Sequence, residues 1–426
     1  MQFERHDRIW IRGGTVVTAL GQSRADLLIE RGVITAIGER IAPREAHVVE
    51  ASDLVVTPGF VDVHVHLRDP GAADSETLES GLAAAAAGGI HHVYCMANTD
   101  PVNDDPEITG DLVARAARLS PLALHPVAAV TRGLRGDRLT DFAAHRAAGA
   151  GALSNDGLPV EEVGTLRRAL ERAGEAGMTI LVHAEDRVLA AGGAVDARVA
   201  SRLHAKGIPV EAEDLATARD VGVATETGAA LHVCHVSTAG AVEIVRAARE
   251  RGGRISAEAT PHHLLLSYDD IPEGDSDFKM NPPLRSRADV EALIEGVRDG
   301  TVTAIATDHA PHAPRRKSAS LDAAPFGAIG LETSFSVAYS ALVATGRISL
   351  DRLIGLYVEG PAEIVGLIPP RIAEGAPAEL NLIDLGASWV VDPRRLQSLS
   401  RNCPFKGRRL TSRVVAVVRG RDLLRL

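Results

Sequence analysis

The sequence predicts an α/β fold: a (β/α)8 TIM barrel of residues 55–369 with a small discontinuous β-sandwich domain from residues 1–54 and 370–426. Three observations predict it. Eight short apolar runs end in polar residues within the middle region, and Ala-rich amphipathic stretches separate them. Both ends of the chain instead resemble short strands joined by Gly-containing turns. A doubly wound parallel sheet is the alternative architecture for the middle region.

The two terminal segments alternate β-branched and polar residues, as strands with one buried face do. This pattern covers residues 8–19, 25–39 and 46–52 at the start and residues 377–391 and 411–424 near the end. Two β-rich ends around a different middle indicate one unit, formed where the termini meet.

The middle region supplies the barrel strands and helices. The strands are predicted within residues 55–67, 89–99, 122–130, 149–157, 178–186, 230–237, 254–264 and 301–312. Helices are predicted between them, for example over residues 75–88, 106–119, 159–176, 239–251 and 287–299. Strand–helix units repeated over about 300 residues are typical of a closed parallel barrel.

Composition narrows the function classes. Apolar residues make up 45% and charged residues 24%, which is ordinary for a globular enzyme. A net charge of −10 with only 3% aromatics argues against a nucleic-acid binder. No apolar run approaches the ~18 residues of a membrane span, and the charged N-terminus lacks the apolar core of a signal peptide. The three cysteines are widely spaced and odd in number, so we expect a reduced, cytoplasmic protein.

A His-x-His pair ends the first predicted barrel strand. On a strand, Asp62, His64 and His66 face the same side, and the two imidazoles stand roughly 7 Å apart at their Cα atoms. An isolated pair of this kind is weak evidence for a metal site, since a surface or structural pair has the same spacing.

Further His and Asp residues follow other predicted strands, namely Asp156, His183, His235 and Asp308. Because all strand C-termini of a parallel barrel open onto one face, we expect these side chains to meet His64 and His66 there. A set of His and carboxylate ligands suits Zn²⁺, with Mn²⁺, Co²⁺ or Fe²⁺ as substitutes. Six ligands are too many for one tetrahedral zinc, and they suit two metals that share a bridging carboxylate.

The chain resembles the bacterial type I dihydroorotases, which belong to the cyclic amidohydrolases of the amidohydrolase superfamily. The resemblance extends over essentially the whole chain. It rests on PGFVDVHVHLRDPG (58–71), MANTDPV (96–102), SNDGLPV (154–160), HAED (183–186), HVCHVS (232–237), EATPHHL (258–264), KMNPPLR (279–285), ATDHAPH (306–312) and APFGAIGLET (324–333).

The resemblance implies a role for each matching residue. It puts His64, His66 and Asp308 on one of two Zn²⁺ ions per subunit, His183 and His235 on the other, and makes Asp156 the bridge. Asp308 would also be the proton-transfer base. The implied substrate-binding residues are Arg68, Asn98, Asn281, His312, Phe326 and Gly327.

The same resemblance implies an activity. It is the reversible cyclisation of N-carbamoyl-L-aspartate to (S)-dihydroorotate and water, a step of de novo pyrimidine (UMP) biosynthesis. The implied partners are a small-molecule substrate, further copies of the chain in a homo-oligomer, and aspartate transcarbamoylase. We expect no nucleic-acid or membrane partner.

Three features depart from relatives or separate them. The family commonly has two Asp before Gly157, and here the first is Asn155, so the bridge depends on Asp156 alone. Hydantoinases and allantoinases typically bridge their metals with a carbamylated Lys on the fourth strand. This chain has four Lys in all, none of them near that strand, and the nearest is Lys206. The run 313–323 is also more basic than usual for the family.

Two other functions remain open at this point. One is an allantoinase or hydantoinase-type cyclic amidohydrolase, which activity on uncharged rings would reveal. The other is a non-catalytic dihydroorotase-like subunit of an aspartate transcarbamoylase complex. Such a subunit should have lost metal ligands, and all six are present here.

Overall fold

The structure, a computed structural model, describes residues 2–18 and 21–426. The strands are β1 (Glu4–Arg5), β2 (Arg8–Thr18), β3 (Gly21–Glu30), β4 (Val33–Gly38), β5 (His47–Glu50), β6 (Val55–Pro58), β7 (Phe60–Val65), β8 (Ile90–Cys95), β9 (Ala123–Ala129), β10 (Ala152–Ser154), β11 (Ile180–Val182), β12 (Val195–Asp196), β13 (Gly207–Ile208), β14 (Leu231–Val233), β15 (Ile255–Ala259), β16 (Ala304–Ile305), β17 (Glu379–Val390), β18 (Arg409–Arg419) and β19 (Asp422–Arg425). The predicted run 8–19 ends at Ala19, which lies outside the described residues.

The α-helices lie mostly between the barrel strands. They are α1 (Leu78–Ala87), α2 (Pro106–Leu119), α3 (Phe142–Ala147), α4 (Val163–Ala176), α5 (Arg187–Ala190), α6 (Glu211–Thr227), α7 (Ala239–Glu250), α8 (Pro261–Leu265), α9 (Arg287–Asp299), α10 (Pro314–Lys317), α11 (Ser334–Ala338), α12 (Leu350–Tyr357) and α13 (Glu359–Val365). A π-helical turn, Tyr339–Val343, follows α11. None of the helices among residues 2–18 and 21–426 is long and apolar enough to cross a bilayer.

Eight parallel strands form the predicted barrel, in the order β16-β15-β14-β11-β10-β9-β8-β7. The first and last strands close the ring through few contacts. Val65 and His309 form an isolated parallel bridge, and the His66 amide donates to the His309 carbonyl at 2.8 Å. The Thr307 amide donates to the Asp62 carboxyl at 3.2 Å. The barrel is therefore nearly closed, and the fold prediction is confirmed.

Successive residues of the barrel strands pack into two different apolar clusters. Leu153 and Ile180 belong to a large cluster that includes helical residues such as Leu166 and Leu170. Their neighbours Ala152 and Leu181 belong to a smaller one made mainly of strand residues. Because adjacent strand residues face opposite sides, the large cluster lies between strands and helices and the small one fills the barrel.

The terminal segments meet in a nine-stranded sheet, in the order β1-β19-β18-β17-β6-β2-β3-β4, with β5 paired to β2. This sheet has an apolar cluster of its own, which includes Ile9, Leu27, Leu380 and Val418. The two ends of the chain thus form one unit, as predicted. β6 belongs to this sheet although it begins at Val55, so the chain enters the barrel directly after Pro58.

Local capping explains where two predicted helices begin. The helix predicted from residue 75 begins at Leu78, because the Thr77 side chain accepts from the Ser80 amide. The helix predicted from residue 159 begins at Val163, because Glu162 accepts from the amides of the first turn. The other three helices match their predicted ranges to within one residue.

Candidate active site

A cavity of about 310 Å³ opens at the C-terminal ends of the barrel strands. All the predicted site residues except His64 line it. His64 is fully buried. The lining is His66, Arg68, Asn98, Asp156, Gly157, His183, Glu185, His235, Asn281, Asp308, Ala310, His312, Phe326 and Gly327. The structure therefore brings the residues chosen from the sequence to one place.

Strand ends deliver the six candidate metal ligands. His64 lies on β7 and His66 directly follows that strand, while Asp156 comes two residues after β10. His183 directly follows β11, and His235 comes two residues after β14. Asp308 comes three residues after β16. Parallel strands point these positions at the same mouth of the barrel, as expected.

Asp156 lies at the centre of the group. Its Oδ1 is 3.7 Å from His183 Nδ1, 3.7 Å from His235 Nε2 and 3.5 Å from His64 Nε2. Its other oxygen, Oδ2, is 3.4 Å from His66 Nε2. One carboxylate therefore faces all four imidazoles, which is the arrangement that a bridging ligand needs.

Asp308 faces the His-x-His pair. Its Oδ1 is 3.2 Å from His66 Nε2 and 3.6 Å from His64 Nε2. The ligand atoms of His64, His66 and Asp308 lie within 4.8 Å of one another, and so do those of His64, Asp156 and His235. His183 Nδ1 lies 3.1 Å from His235 Nε2, beside the second of these groups.

Hydrogen bonds on the far side of two imidazoles fix their tautomers. His64 Nδ1 donates to Glu258 Oε1 at 3.0 Å, and His66 Nδ1 donates to Asn98 Oδ1 at 2.9 Å. Nδ1 is thus the donor to these outer partners in both rings, and Nε2 is the nitrogen that faces the carboxylates. The Asn98 amide nitrogen donates to Asp156 Oδ2 at 3.1 Å, so Asn98 also orients the central carboxylate.

Glu258 and Glu185 contact candidate ligands, and neither was assigned a role from the sequence. Glu258 is fully buried and accepts from both His64 and His232, the latter at 2.9 Å. Glu185 Oε2 lies 3.8 Å from His183 Nε2, on the side of the ring away from Asp156. For Glu258, the sequence did contain a signal. It is the lone carboxylate in the apolar strand β15, and a buried charge requires a partner.

The electrostatics of the site keep its two central carboxyl groups charged. Burial alone would raise the pKa of the Asp156 and Asp308 carboxyls, but the surrounding histidines hold the pKa of both below the usual value. Burial lowers the pKa of His66. Burial also opposes the charged forms of His64 and His183, but Asp156 and other neighbouring groups outweigh it and raise the pKa of both. The site therefore holds anionic oxygens at neutral pH, and a bound metal would compete with protons for the nitrogens of His64 and His183.

The residues present fit a divalent metal centre. His64 Nε2 and Asp156 Oδ1 are buried and have no hydrogen-bond partner among the described residues. Such atoms are costly to leave unpaired. Four imidazoles and two carboxylates supply the nitrogen and oxygen donors that Zn²⁺ accepts, and outer hydrogen bonds to the rings are usual at such sites.

Three site residues have strained backbones. Arg68, His235 and Asp308 have φ values of 56°, 36° and 45°, in the left-handed region that residues with side chains rarely adopt. Strain of this kind concentrates at functional sites, where surrounding structure maintains it. All three side chains line the cavity.

The remaining cavity residues lie on the loops around this group. Arg68 Nε donates to the Pro311 carbonyl at 3.2 Å, and burial lowers the pKa of its guanidinium to about 10, so it stays charged at neutral pH. Burial and the Arg68 charge lower the pKa of His312 to about 3. Neutral His312 donates from Nε2 to the Phe326 carbonyl at 2.6 Å. Asn281 donates to Glu185 at 2.9 Å.

The structure places Asp156, and not Asn155, in the site. Asn155 bonds the Thr131 backbone and hydroxyl at 3.0 and 2.8 Å, so its side chain supports a neighbouring loop. No Lys lines the cavity, and Lys206 lies just before β13. A carboxylate, rather than a modified Lys, therefore occupies the central position.

Comparison with known proteins finds relatives over nearly the whole chain. The dihydro-orotase-like family model matches residues 53–241. Proteins named dihydroorotase are 45% identical in Anaeromyxobacter dehalogenans, over 97% of both chains, and 44% identical in Halalkalibacterium halodurans, over 93% of both chains. The solved structure of L-hydantoinase (dihydropyrimidinase) from Arthrobacter aurescens has a TM-score of 0.87 at 25% identity, covering 100% of this chain and 96% of that one.

The fold and the site first define a class: the protein is an enzyme with the barrel of the cyclic amidohydrolases. The near full-length relatives then define the family within this class. The chain belongs to the dihydroorotase family.

Proposed function

We propose that the enzyme catalyses the reversible, zinc-dependent cyclisation of N-carbamoyl-L-aspartate to (S)-dihydroorotate and water, in pyrimidine (UMP) biosynthesis. The observation that carries this proposal is the combination in one cavity of the central Asp156 with the partly buried guanidinium of Arg68. Dihydroorotate has a carboxylate for that guanidinium to bind, whereas the rings of hydantoin and allantoin have none. The 41–45% identity to proteins named dihydroorotase supports the same reaction.

Two Zn²⁺ ions per subunit would be held by the six candidate ligands. His64, His66 and Asp308 would hold one, His183 and His235 the other, and Asp156 both. Bound zinc would lower the pKa of a water molecule toward neutrality and polarise the ring amide carbonyl.

Asp308 is the candidate for proton transfer. During ring opening, the water oxygen bonds to the amide carbon, and Asp308 accepts the water proton. The carbon–nitrogen bond of the ring then breaks, and Asp308 returns that proton to the departing ring nitrogen. Asp308 suits this role because it lines the cavity while its Oδ1 stays within 3.2 Å of His66.

The rest of the cavity would bind and orient the substrate. Arg68 can bind the substrate carboxylate through two parallel hydrogen bonds. Asn98, Asn281 and His312 and the Phe326–Gly327 backbone would surround the ring. Asn281 directs its amide nitrogen to Glu185, so its oxygen is the atom left to accept from a ring N–H group.

Metal analysis together with a dihydroorotate hydrolysis assay tests this proposal. We expect up to two Zn²⁺ per chain and turnover of dihydroorotate. The equilibrium should shift toward the ring at acid pH, because closure converts a carboxylate to an imide and consumes a proton. Turnover of uncharged hydantoins without turnover of dihydroorotate would replace this proposal with a hydantoinase activity. Low metal content without either activity would favour the non-catalytic subunit.

We also propose a cytoplasmic location, which the three free, buried cysteines support. A homo-oligomer and a complex with aspartate transcarbamoylase are further proposals. Size-exclusion chromatography of the chain alone and mixed with that enzyme would test both.

A further inference from the structure

A buried lysine lies behind the loop that lines one side of the cavity. Lys317 ends the short helix α10, in the basic run 313–323, and only 6% of its surface is exposed. Its ammonium donates to three carbonyls: Lys279 at 3.2 Å, Pro325 at 3.1 Å and Gly327 at 3.0 Å. An ammonium has three donors, so these carbonyls use its full hydrogen-bonding capacity.

Asn402 contacts the same loop from the C-terminal unit. It is 2% exposed, and its amide nitrogen donates to the carbonyls of Gly327 and Ala310, both at 3.0 Å. Its oxygen accepts from the His312 amide at 3.2 Å. Asn402 therefore joins the loop of Gly327 to the loop of His312.

The Phe326–Gly327 turn needs this support. Gly327 has φ of +127°, and a Cβ there would lie 2.5 Å from the Ala310 side chain, so the backbone approaches its neighbour as only glycine can. The Gly327 amide donates to the Lys279 carbonyl at 2.9 Å, and the Lys279 ammonium lies 4.5 Å from the Phe326 ring centre. Without the donors of Lys317 and Asn402, the Gly327 carbonyl would be buried and unpaired.

We propose that Lys317 and Asn402 are positioning residues for substrate binding, which together hold the Gly327 carbonyl and thereby fix the Phe326–Gly327 turn beside His312. The proposal rests on the proposed function, because Phe326, Gly327 and His312 are the residues assigned there to the substrate. Neither positioning residue lines the cavity, so each acts through the turn.

The test compares Lys317→Met with Lys406→Met. Methionine matches the lysine side chain as far as Cε and removes the ammonium with every donor, and Lys406 is an exposed lysine that serves as the matched control. In Lys317→Met, we expect the displaced turn to cost the charged substrate one hydrogen bond, so KM for dihydroorotate should rise about tenfold with a smaller change in kcat. Zinc content should equal that of the wild type, and Lys406→Met should leave all three quantities unchanged.

A second variant and a second measurement keep the outcome decisive. Asn402→Leu should raise KM in the same way, and the double variant should raise it by less than the product of the two effects, since both act on one carbonyl. Hydrogen exchange of peptides spanning residues 322–330 should become faster in each variant. If Lys317→Met does not fold, Asn402→Leu and its exchange pattern decide alone.

Two results would overturn the proposal. One is an unchanged KM with unchanged exchange in the folded variants. The other is a parallel loss of kcat and zinc without a change in KM, which would indicate general structural support. A wild type that does not turn over dihydroorotate would overturn the proposed function instead, and the exchange measurement would still test whether Lys317 and Asn402 hold the turn.

Discussion

Replacing Glu258 by glutamine should weaken metal binding without changing any candidate ligand. Burial opposes the charged form of this carboxyl, but His232 and His64 outweigh it and lower the pKa of Glu258 to about 2. The side chain is thus a carboxylate that accepts one hydrogen bond from each imidazole, at 2.9 and 3.0 Å. Glutamine has the same shape but only one accepting oxygen, so Glu258→Gln leaves one imidazole facing an amide N–H group.

The magnitude follows from that single loss. A hydrogen bond to a charged group contributes about 1.5–3 kcal/mol, and about 2 kcal/mol corresponds to roughly 30-fold in affinity. This agrees with the loss of roughly 10–100-fold in metal affinity that follows when a partner that orients a metal ligand is removed. When the lost contact is that of His64, its tautomer is no longer fixed, and zinc must bind a ring that presents Nε2 only part of the time.

The assay is competition for zinc between the protein and a chromogenic chelator, with kcat measured at saturating zinc. Glu175→Gln is the matched control, because Glu175 is an exposed residue of α4. Zinc affinity in Glu258→Gln equal to that of the wild type would show that the contact between Glu258 and His64 does not support the metal centre.

Three further predictions concern single side chains. Asp156→Ala should lose the second zinc and nearly all activity, and two tightly bound metals in that variant would exclude a bridging role. Arg68→Lys should lower kcat/KM for dihydroorotate by about 1.5–3 kcal/mol with both metals retained, because an ammonium cannot make the planar two-point contact; an unchanged kcat/KM would refute it. Burial raises the pKa of Glu332 from 4.5 to about 7. Between these pH values the native state keeps a proton that the unfolded state has lost, so the wild type loses stability as pH rises from 4.5 to about 7. Glu332→Gln should therefore increase Tm relative to the wild type at about pH 8, and the gain should disappear near pH 5; a gain independent of pH would contradict this cause.

Periodicity predicted the parts of the fold that depend on neighbouring residues. The alternation in Asp62-Val63-His64-Val65-His66 and the polar residues after the other strands were sufficient to place six side chains at one mouth of a barrel. In a parallel barrel, every residue that follows a strand lies at the same end of the barrel. The local pattern around each strand therefore determines which side chains meet in the site.

Contacts between distant segments could not be predicted in this way. Glu258 pairs with His64 across the barrel, 194 residues away, and no local pattern reveals such a partner. The Asn402 contacts with the site loops span 75 to 92 residues. Sequence alone also did not show that β6 belongs to the terminal sheet, because only Gly59 separates it from β7 and the two apolar stretches look like one strand in the sequence.

The contact of Asn402 with the site loops bears on the order of synthesis. A ribosome completes all six candidate metal ligands when it has added Asp308, yet Asn402 is added 94 residues later, counted from the sequence. β17 and β18, the partners that join the N-terminal strands to the C-terminal segment, also come after residue 378. A nascent chain therefore contains all of its candidate metal ligands well before the residue that joins the two site loops. β7, which carries His64, also packs its Phe60 against Phe335 and Tyr357, which are added after Asp308. Substrate turnover should therefore arise only once translation is nearly finished.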